Sequence, residues 1–134
     1  MIRYAGETDF ETVRKYDRHV SETELQNAIR AKRVLVMYRN DCFVGWLRFN
    51  LFWDELPFMN MLYFLEEYRG QGYGGRLVDF WEKEMADSGY KMVLTSTLSN
   101  EQAQFFYRKN GYVDCGSLLL PGEPLEIILR KELA

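Results

Sequence analysis

The sequence predicts an α+β (mixed α/β) fold, in which a mostly antiparallel mixed sheet of about six to seven strands is flanked by about four helices. Three observations support this fold. Apolar, β-branched runs alternate with amphipathic segments, turn-forming residues join neighbouring runs as hairpins, and a glycine-rich turn in mid-chain links a strand pattern to a helical one. Because 134 residues have room for one moderate core, we expect a single domain over residues 1–134.

Capping patterns locate the helices. Side chains that accept a hydrogen bond from the first helical turn occur before three amphipathic segments. A further helix follows the glycine-rich turn, has apolar residues at helical spacing from Leu77 to Met85, and ends near Gly89. The caps expected in chain order are Thr8 or Asp9, Ser21 with Glu24, and Ser99 with Gln102.

Apolar runs locate the strands, and turn residues show which of them form hairpins. Asn40 and Asp41 tolerate positive φ and therefore join two strands as a hairpin. The run at 58–65 is nearly all apolar, as expected of a central strand covered on both faces. Residues 58–97 form a strand–helix–strand unit, expected to be a right-handed parallel crossover. The expected strands are 2–4, 34–38, 42–53, 58–65, 92–97, 112–120 and 125–130.

Composition excludes several classes of function. The formal net charge is -3 and no Lys/Arg cluster occurs, which argues against a nucleic-acid surface. No segment has the roughly 18 apolar residues that span a bilayer, and the charged N-terminus is no signal peptide, so we expect no membrane partner and a cytoplasmic location. We expect Cys42 and Cys115 to be reduced and partly buried. With His19 as the single histidine, we expect no metal site.

The segment Arg69-Gly70-Gln71-Gly72-Tyr73-Gly74-Gly75 joins a strand to a helix. Unpaired N–H groups at a helix N-terminus suit a phosphate, and glycines let the backbone approach it, although such a turn can also be a purely structural connection. A dinucleotide site would need an acidic residue about 20 positions further on. The sequence there is Leu-Thr-Ser-Thr at 94–97, and about 60 residues remain, too few for a doubly wound sheet.

Two motifs resemble those of the GNAT superfamily of N-acetyltransferases. The segment from Tyr68 to Gly74 is similar to its acyl-CoA motif, (Arg/Gln)-x-x-Gly-x-(Gly/Ala), with Arg69, Gly72 and Gly74 at the defined positions. Downstream, a helix that opens at Asn100 ends in Phe-Tyr-Arg-Lys-Asn-Gly-Tyr at 106–112, which resembles the family's Phe-Tyr-x-x-x-Gly-(Phe/Tyr) ending. The order of elements also agrees, so the resemblance covers nearly the whole chain.

The resemblance implies acetyl-CoA as co-substrate, with no metal. Backbone N–H groups of the glycine turn would hold the CoA pyrophosphate, and the end of the preceding strand would pair through its backbone with the pantetheine arm. This requires that strand to splay from the strand at 92–97. The residues assigned to the cofactor in this way are Tyr63, Phe64, Leu65, Arg69, Gly70, Gln71, Gly72, Tyr73, Gly74 and Asn100.

The reaction implied is direct attack of a primary amine, on a small molecule or a protein, within a ternary complex. Tyr107 would protonate the departing thiolate, although a tyrosine on an apolar helix face can equally be a core residue. Glu55 is the first candidate for the base that deprotonates the amine, with Asp54, Glu66 and Glu67 behind it. The strand at 58–65 holds no carboxylate, which leaves a non-catalytic acyl-CoA-binding module or sensor as the alternative.

An aromatic wall beside acidic residues would suit a cationic amine, although core packing explains the same side chains. A homodimer is a further expectation, because the closing strand at 112–120 could pair across an interface. The side chains expected to frame the acceptor are Arg18, His19, Phe49, Phe52, Trp53 and Tyr63.

Overall fold

The computed structural model describes residues 1–134 and contains seven strands and four α-helices. This confirms the predicted mixed α+β class and the order of elements. Short 3-10 turns at Glu7–Asp9 and Glu66–Tyr68 precede the first and third helices. The strands are β1 (Ile2–Tyr4), β2 (Val34–Arg39), β3 (Cys42–Phe52), β4 (Leu56–Phe64), β5 (Met92–Leu98), β6 (Val113–Leu118) and β7 (Glu126–Glu132). The helices are α1 (Phe10–Tyr16), α2 (Glu22–Arg30), α3 (Tyr73–Asp87) and α4 (Ala103–Lys109).

The strands form a seven-stranded sheet in the order β1-β2-β3-β4-β5-β7-β6, with β4 and β5 as its parallel pair. Internal contacts divide the chain into two compact units. Unit 1 comprises Met1–Asn50 and Met61–Trp81, and unit 2 comprises Leu51–Asn60 and Glu82–Ala134. The single domain over residues 1–134 stays a prediction.

Unit 1 contains the predicted hairpin of β2 and β3. Asn40 and Asp41 turn the chain with φ values of 50° and 65°, as expected of short polar residues that tolerate the left-handed region. The buried face of this hairpin packs against α1 and α2, because both helices turn apolar side chains towards it. The buried members of that core include Val13, Leu25, Ile29, Val34, Val36 and Trp46.

The predicted N-terminal cap of α2 is present, whereas Asp9 does not cap α1 as predicted. The Ser21 hydroxyl accepts a hydrogen bond from the Glu24 N–H at 3.1 Å, as the capping box predicted. The Asp9 carboxylate does not cap α1. It accepts instead from the Gly6 N–H, the Arg3 guanidinium and the Tyr38 hydroxyl, so both of its oxygens already have partners outside α1.

Unit 2 contains an antiparallel sheet of β5, β7 and β6, with Phe58 and Met59 of β4 in parallel register with β5. The capping box predicted at Ser99 and Gln102 is wrong, because α4 begins only at Ala103 and Gln102 makes no side-chain cap. The backbone N–H of Ser99, which a capping box would pair with the Gln102 side chain, bonds instead to the Leu125 carbonyl oxygen at 2.7 Å.

The expectation that β4 is covered on both faces is also wrong. Met59 and Phe64 are buried, whereas Asn60 and Tyr63 are exposed. Apolar side chains can be buried without loss of hydrogen bonds, but they also occur at exposed positions. A tyrosine tolerates exposure because its hydroxyl is polar. None of the helices has the length and apolar character needed to cross a membrane.

Candidate functional site

The glycine turn of unit 1 presents unpaired backbone N–H groups. Gly70 and Gly72 have φ values of 72° and 85°, which L side chains rarely adopt, so glycine is required at both positions. The first helical hydrogen bond of α3 runs from the Arg76 N–H to the Gly72 carbonyl oxygen, at 3.2 Å. The N–H groups of residues 72–75 therefore lack helical partners, and they stand at the positive end of a 15-residue helix. Such an end binds an anion.

Arg69 fixes the turn to the end of β4. Its Nε donates a hydrogen bond to the Phe64 carbonyl oxygen at 2.8 Å, and its guanidinium lies 4.8 Å from the centre of the Tyr63 ring. These contacts orient the planar guanidinium and leave both Nη groups without a partner in the chain. Arg69 is exposed, so these groups can meet an anion from solvent.

The last residues of β4 differ in the direction of their backbone groups. The Leu65 N–H bonds to the Val44 carbonyl oxygen at 2.9 Å, and a Cβ on Gly45 would lie 2.5 Å from the Tyr63 carbonyl oxygen. These groups of Tyr63 and Leu65 therefore face β3. They do not offer the backbone pairing that was expected of them, because strand residues alternate in direction. Phe64 lies between them and turns its backbone the other way.

Tyr107 lies on α4 in unit 2 with only 6% of its surface exposed. Its hydroxyl is hydrogen-bonded to Thr95, whose own hydroxyl donates to the Met59 carbonyl oxygen at 3.0 Å. Burial raises the pKa of the Tyr107 phenol to about 12, against the smaller lowering effect of the Thr95 hydrogen bond. The phenol is therefore protonated at neutral pH and acts as a hydrogen-bond donor. Its ring packs on Phe106 and Tyr112, so the side chain also contributes to the hydrophobic core.

The sequence profile of the acetyltransferase (GNAT) family matches residues 4–112. The chain belongs to this family. Membership assigns acyl-CoA-dependent acyl transfer as the class of its reaction. A comparison with curated protein sequences gives no significant match.

Solved structures of the GNAT fold superpose on the whole chain. Ard1 from Thermoplasma volcanium has a TM-score of 0.85 at 15% identity and covers 100% of this chain and 97% of its own. The PaiA N-acetyltransferase from Thermoplasma acidophilum, in complex with coenzyme A, has a TM-score of 0.74 at 20% identity and covers 98% of each chain. The ribosomal-protein-S18-alanine N-acetyltransferase from Escherichia coli has a TM-score of 0.82 at 15% identity, covering 100% of this chain and 94% of its own.

A buried ion pair in unit 1 holds the turn after α1 of this GNAT protein. The Asp17 carboxylate accepts from Arg48 Nε at 2.8 Å, from Trp46 Nε1 at 3.1 Å and from the His19 N–H at 3.2 Å. Trp46 packs on Tyr63, with 5.2 Å between ring centres. The sequence analysis did not predict this hydrogen-bonded network. The only indication of it in the sequence was that Asp17 and Arg48 each stand next to an apolar segment.

The side chains expected to frame the acceptor do not behave alike. In unit 1, Arg18, His19 and Tyr63 are exposed, whereas Phe49 is buried against Trp81 and belongs to the core. In unit 2, Phe52 and Trp53 are exposed and contact each other in a tilted arrangement, with 4.6 Å between ring centres. Phe49 therefore cannot contribute to the expected aromatic wall.

Glu55 and Asn100 both lie in exposed turns of unit 2. Glu55 follows Trp53 and Asp54, whose φ values of 57° and 60° close the turn between β3 and β4. Asn100 precedes α4 instead of opening it, because the helix begins at Ala103. Neither side chain makes a hydrogen bond within the chain.

The cysteines are exposed and unpaired, contrary to the expected partial burial. Cys42 starts β3 and Cys115 lies on β6, and both strands end or run at the surface there. No group of three or more His, Cys, Asp or Glu side chains is arranged to hold a metal ion.

Proposed function

We propose that this GNAT protein is an N-acetyltransferase that moves an acetyl group from acetyl-CoA to a primary amine of a small molecule or a protein. The observation that carries the proposal is the glycine turn, where the unpaired N–H groups of residues 72–75 open a long helix beside the Arg69 guanidinium. The PaiA relative in complex with coenzyme A supports this choice of donor.

The donor would bind through its phosphates and its pantetheine arm. The N–H groups at 72–75 suit the pyrophosphate, and the Nη groups of Arg69 add charge-assisted hydrogen bonds to it. Gln71 precedes this set and contributes to the shape of the turn, because its side chain donates to the Glu67 carbonyl oxygen at 3.0 Å. The N–H of Phe64 is the backbone group of the strand end that suits a pantetheine carbonyl or the thioester oxygen, because the Phe64 carbonyl oxygen already accepts from Arg69 Nε.

The amine nitrogen would attack the thioester carbonyl carbon directly within a ternary complex. The carbon–sulfur bond then breaks, the amide product keeps the acetyl group, and the amine proton is finally carried by the CoA thiol. Glu55, or water held by it, is the proposed acceptor of that proton on its way. No covalent enzyme intermediate is required, because the acceptor and the donor are bound together.

The raised pKa of Tyr107 limits its role in this step. Full transfer of a proton from a phenol with a pKa of about 12 to a thiolate with a reference pKa of about 8.5 is unfavourable by roughly 5 kcal/mol. We therefore assign Tyr107 as a hydrogen-bond donor that stabilises the departing thiolate, in place of the full general acid that the sequence predicted.

A primary amine is proposed as the acceptor because the name of the Escherichia coli relative includes an alanine of a ribosomal protein. In unit 1 the Tyr63 ring already lies against the Arg69 guanidinium and Trp46. Within unit 2, exposed Trp53 and Glu55 offer an aromatic face and a carboxylate. These groups favour a cationic amine through cation–π and charge attraction. A cytoplasmic location stays a prediction.

Steady-state kinetics of Tyr107→Phe test the proposal. We expect kcat to fall about 100-fold, the usual effect of removing one donor to developing charge, with acetyl-CoA affinity nearly unchanged. Tyr90→Phe is the matched control and should keep wild-type turnover. Release of the CoA thiol is measured against a panel of small amines and peptide N-termini. Equal turnover in wild type and Tyr107→Phe would remove Tyr107 from the mechanism, and tight acetyl-CoA binding without thiol release would favour the sensor alternative.

A further inference from the structure

Strand β6 is an edge strand with one partner. It lies at the end of the strand order and pairs only with β7, and all six of its residues are exposed. One side of its backbone therefore has no ladder of hydrogen bonds. The strand at the other end of the order, β1, has three residues and offers little to pair with. Long unpaired edges readily pair with another chain.

Exposed apolar side chains accompany this edge. Five of them on β6 and the loop that follows are between 38% and 74% exposed, and we call them the β6 patch. Together they expose on the order of 500 Å², which is within the range of the largest apolar patch on a monomeric protein, a kind of patch that is often functional. The members of the β6 patch are Val113, Leu118, Leu119, Leu120 and Leu125.

Strand β6 lacks most of the sequence features that prevent edge strands of different molecules from pairing. Residues 113–118 contain no lysine, arginine or proline. Their one charge, Asp114, is neutralised by the Arg108 guanidinium, with hydrogen bonds of 2.9 Å from both Nε and Nη2. The bulge at Cys115 shifts the register but leaves residues on both sides of it paired with β7. Neither charge repulsion nor proline blocks an identical strand.

We propose that a second copy of this chain pairs with β6, antiparallel and about a two-fold axis. An identical strand is the occupant that these features favour. The one carboxylate of the edge is already paired with Arg108, so the edge does not select a partner of opposite charge, and a two-fold axis pairs it with itself. The proposal concerns unit 2 alone and does not depend on the acetyltransferase reaction.

The ladder with β7 fixes the register of this pairing. Val113 and Leu118 pair with Arg130 and Glu126, which are four residues apart and therefore share a face of the sheet. Val113 and Leu118 thus share that face as well, because the bulge compensates for their odd spacing. Opposite residues in a sheet must lie on the same face. Pairing Val113 with Leu118 of the second copy satisfies this rule over all six residues.

The same register is favourable for the other face. Asp114 pairs with Leu129 and Ser117 with Ile127, so both lie on the face opposite to Val113. In the dimer Asp114 meets Ser117 of the second copy, whose hydroxyl can donate to the carboxylate, and no like charges face each other. The two patches together provide about 1,000 Å², near the lower bound for a specific interface, and area alone does not set affinity. For a weak interface of this kind we take a dissociation constant on the order of micromolar as the working value.

Sedimentation equilibrium of the full chain at about 100 μM, well above that constant, tests the dimer. We expect twice the chain mass of 16.0 kDa for wild type and a single chain mass for the double variant Val113→Lys with Leu118→Lys. Both positions are more than half exposed, so the lysines do not disturb the core, and circular dichroism checks the fold. Trp53→Lys, at an apolar position outside the β6 patch that is 75% exposed, should stay dimeric.

Disulfide crosslinking tests the register separately. In a background of Cys42→Ser and Cys115→Ser, the pair Val113→Cys and Leu118→Cys should give a covalent dimer on a non-reducing gel after mild diamide oxidation. Each single cysteine variant should stay monomeric on the gel, because its counterpart in the second copy lies five residues away. A wild-type mass of one chain, a dimer that survives the lysine variant, or no crosslink from the double cysteine variant would each overturn the proposal.

Discussion

The ionisation of Tyr107 should make the free energy of unfolding fall at high pH. Burial raises its pKa to about 12 in the folded chain, against a reference of about 10 in the unfolded chain. Above pH 10 the unfolded chain loses this proton while the folded chain keeps it, so unfolding becomes easier as the pH rises. The contribution is fully present below pH 10 and is lost by about pH 12. At about 1.4 kcal/mol for each unit, the loss amounts to roughly 3 kcal/mol.

Urea unfolding of wild type and Tyr107→Phe between pH 8 and pH 12 measures this contribution. Other tyrosines and the lysines titrate in both proteins, so the difference between the two curves isolates Tyr107. We expect the wild type to lose its advantage over the variant only above pH 10, and a tyrosinate difference spectrum should place the midpoint near pH 12. A difference spectrum with its midpoint near pH 10 would refute the burial of the hydroxyl, and the role built on it.

Two further substitutions, each compared with a control substitution, test the structure of unit 1. Gly72→Ala forces a side chain into a φ of 85°, at a cost of about 1–2 kcal/mol, and should abolish acetyl-CoA binding, whereas the helical Gly75→Ala should stabilise the chain by about 0.5–1 kcal/mol. Titration calorimetry and urea unfolding read both effects, and equal binding by the two variants would contradict the role of the turn. Asp17→Ala leaves the buried Arg48 unpaired and should cost about 3–5 kcal/mol, whereas Lys83→Ala, which breaks an exposed pair, should cost less than about 0.5 kcal/mol. Similar losses in unfolding free energy for both would show that the Asp17 pair is not buried.

The fold was predictable because local signals and periodicity agree along the chain. The Asn40-Asp41 turn has a conformation that those residues tolerate, Ser21 caps its helix, and the glycines at 70 and 72 occupy the left-handed region. Each of these features depends on residues within a few positions of one another. The order of strands and helices follows from the same short-range signals, and this is the part that the structure confirms.

The details of the site depend on contacts between distant residues, which no local pattern encodes. The Leu65 N–H is taken by Val44 on a neighbouring strand, so only the structure shows that this group is not available to a ligand. The Ser99 N–H that the predicted capping box requires is bonded to the carbonyl oxygen of Leu125, which is 26 positions further along the chain. A capping pattern depends only on neighbouring residues, so it could not show that a distant carbonyl oxygen competes for the Ser99 N–H.

The measurement that tests the central claim most directly is a calorimetric titration of the chain with acetyl-CoA, with NAD and ATP as controls. We predict binding of acetyl-CoA alone in the micromolar range, which corresponds to about -8 kcal/mol. Binding of all three ligands would show only a general phosphate site. No binding of acetyl-CoA would contradict the account, because the glycine turn would then be a structural connection only.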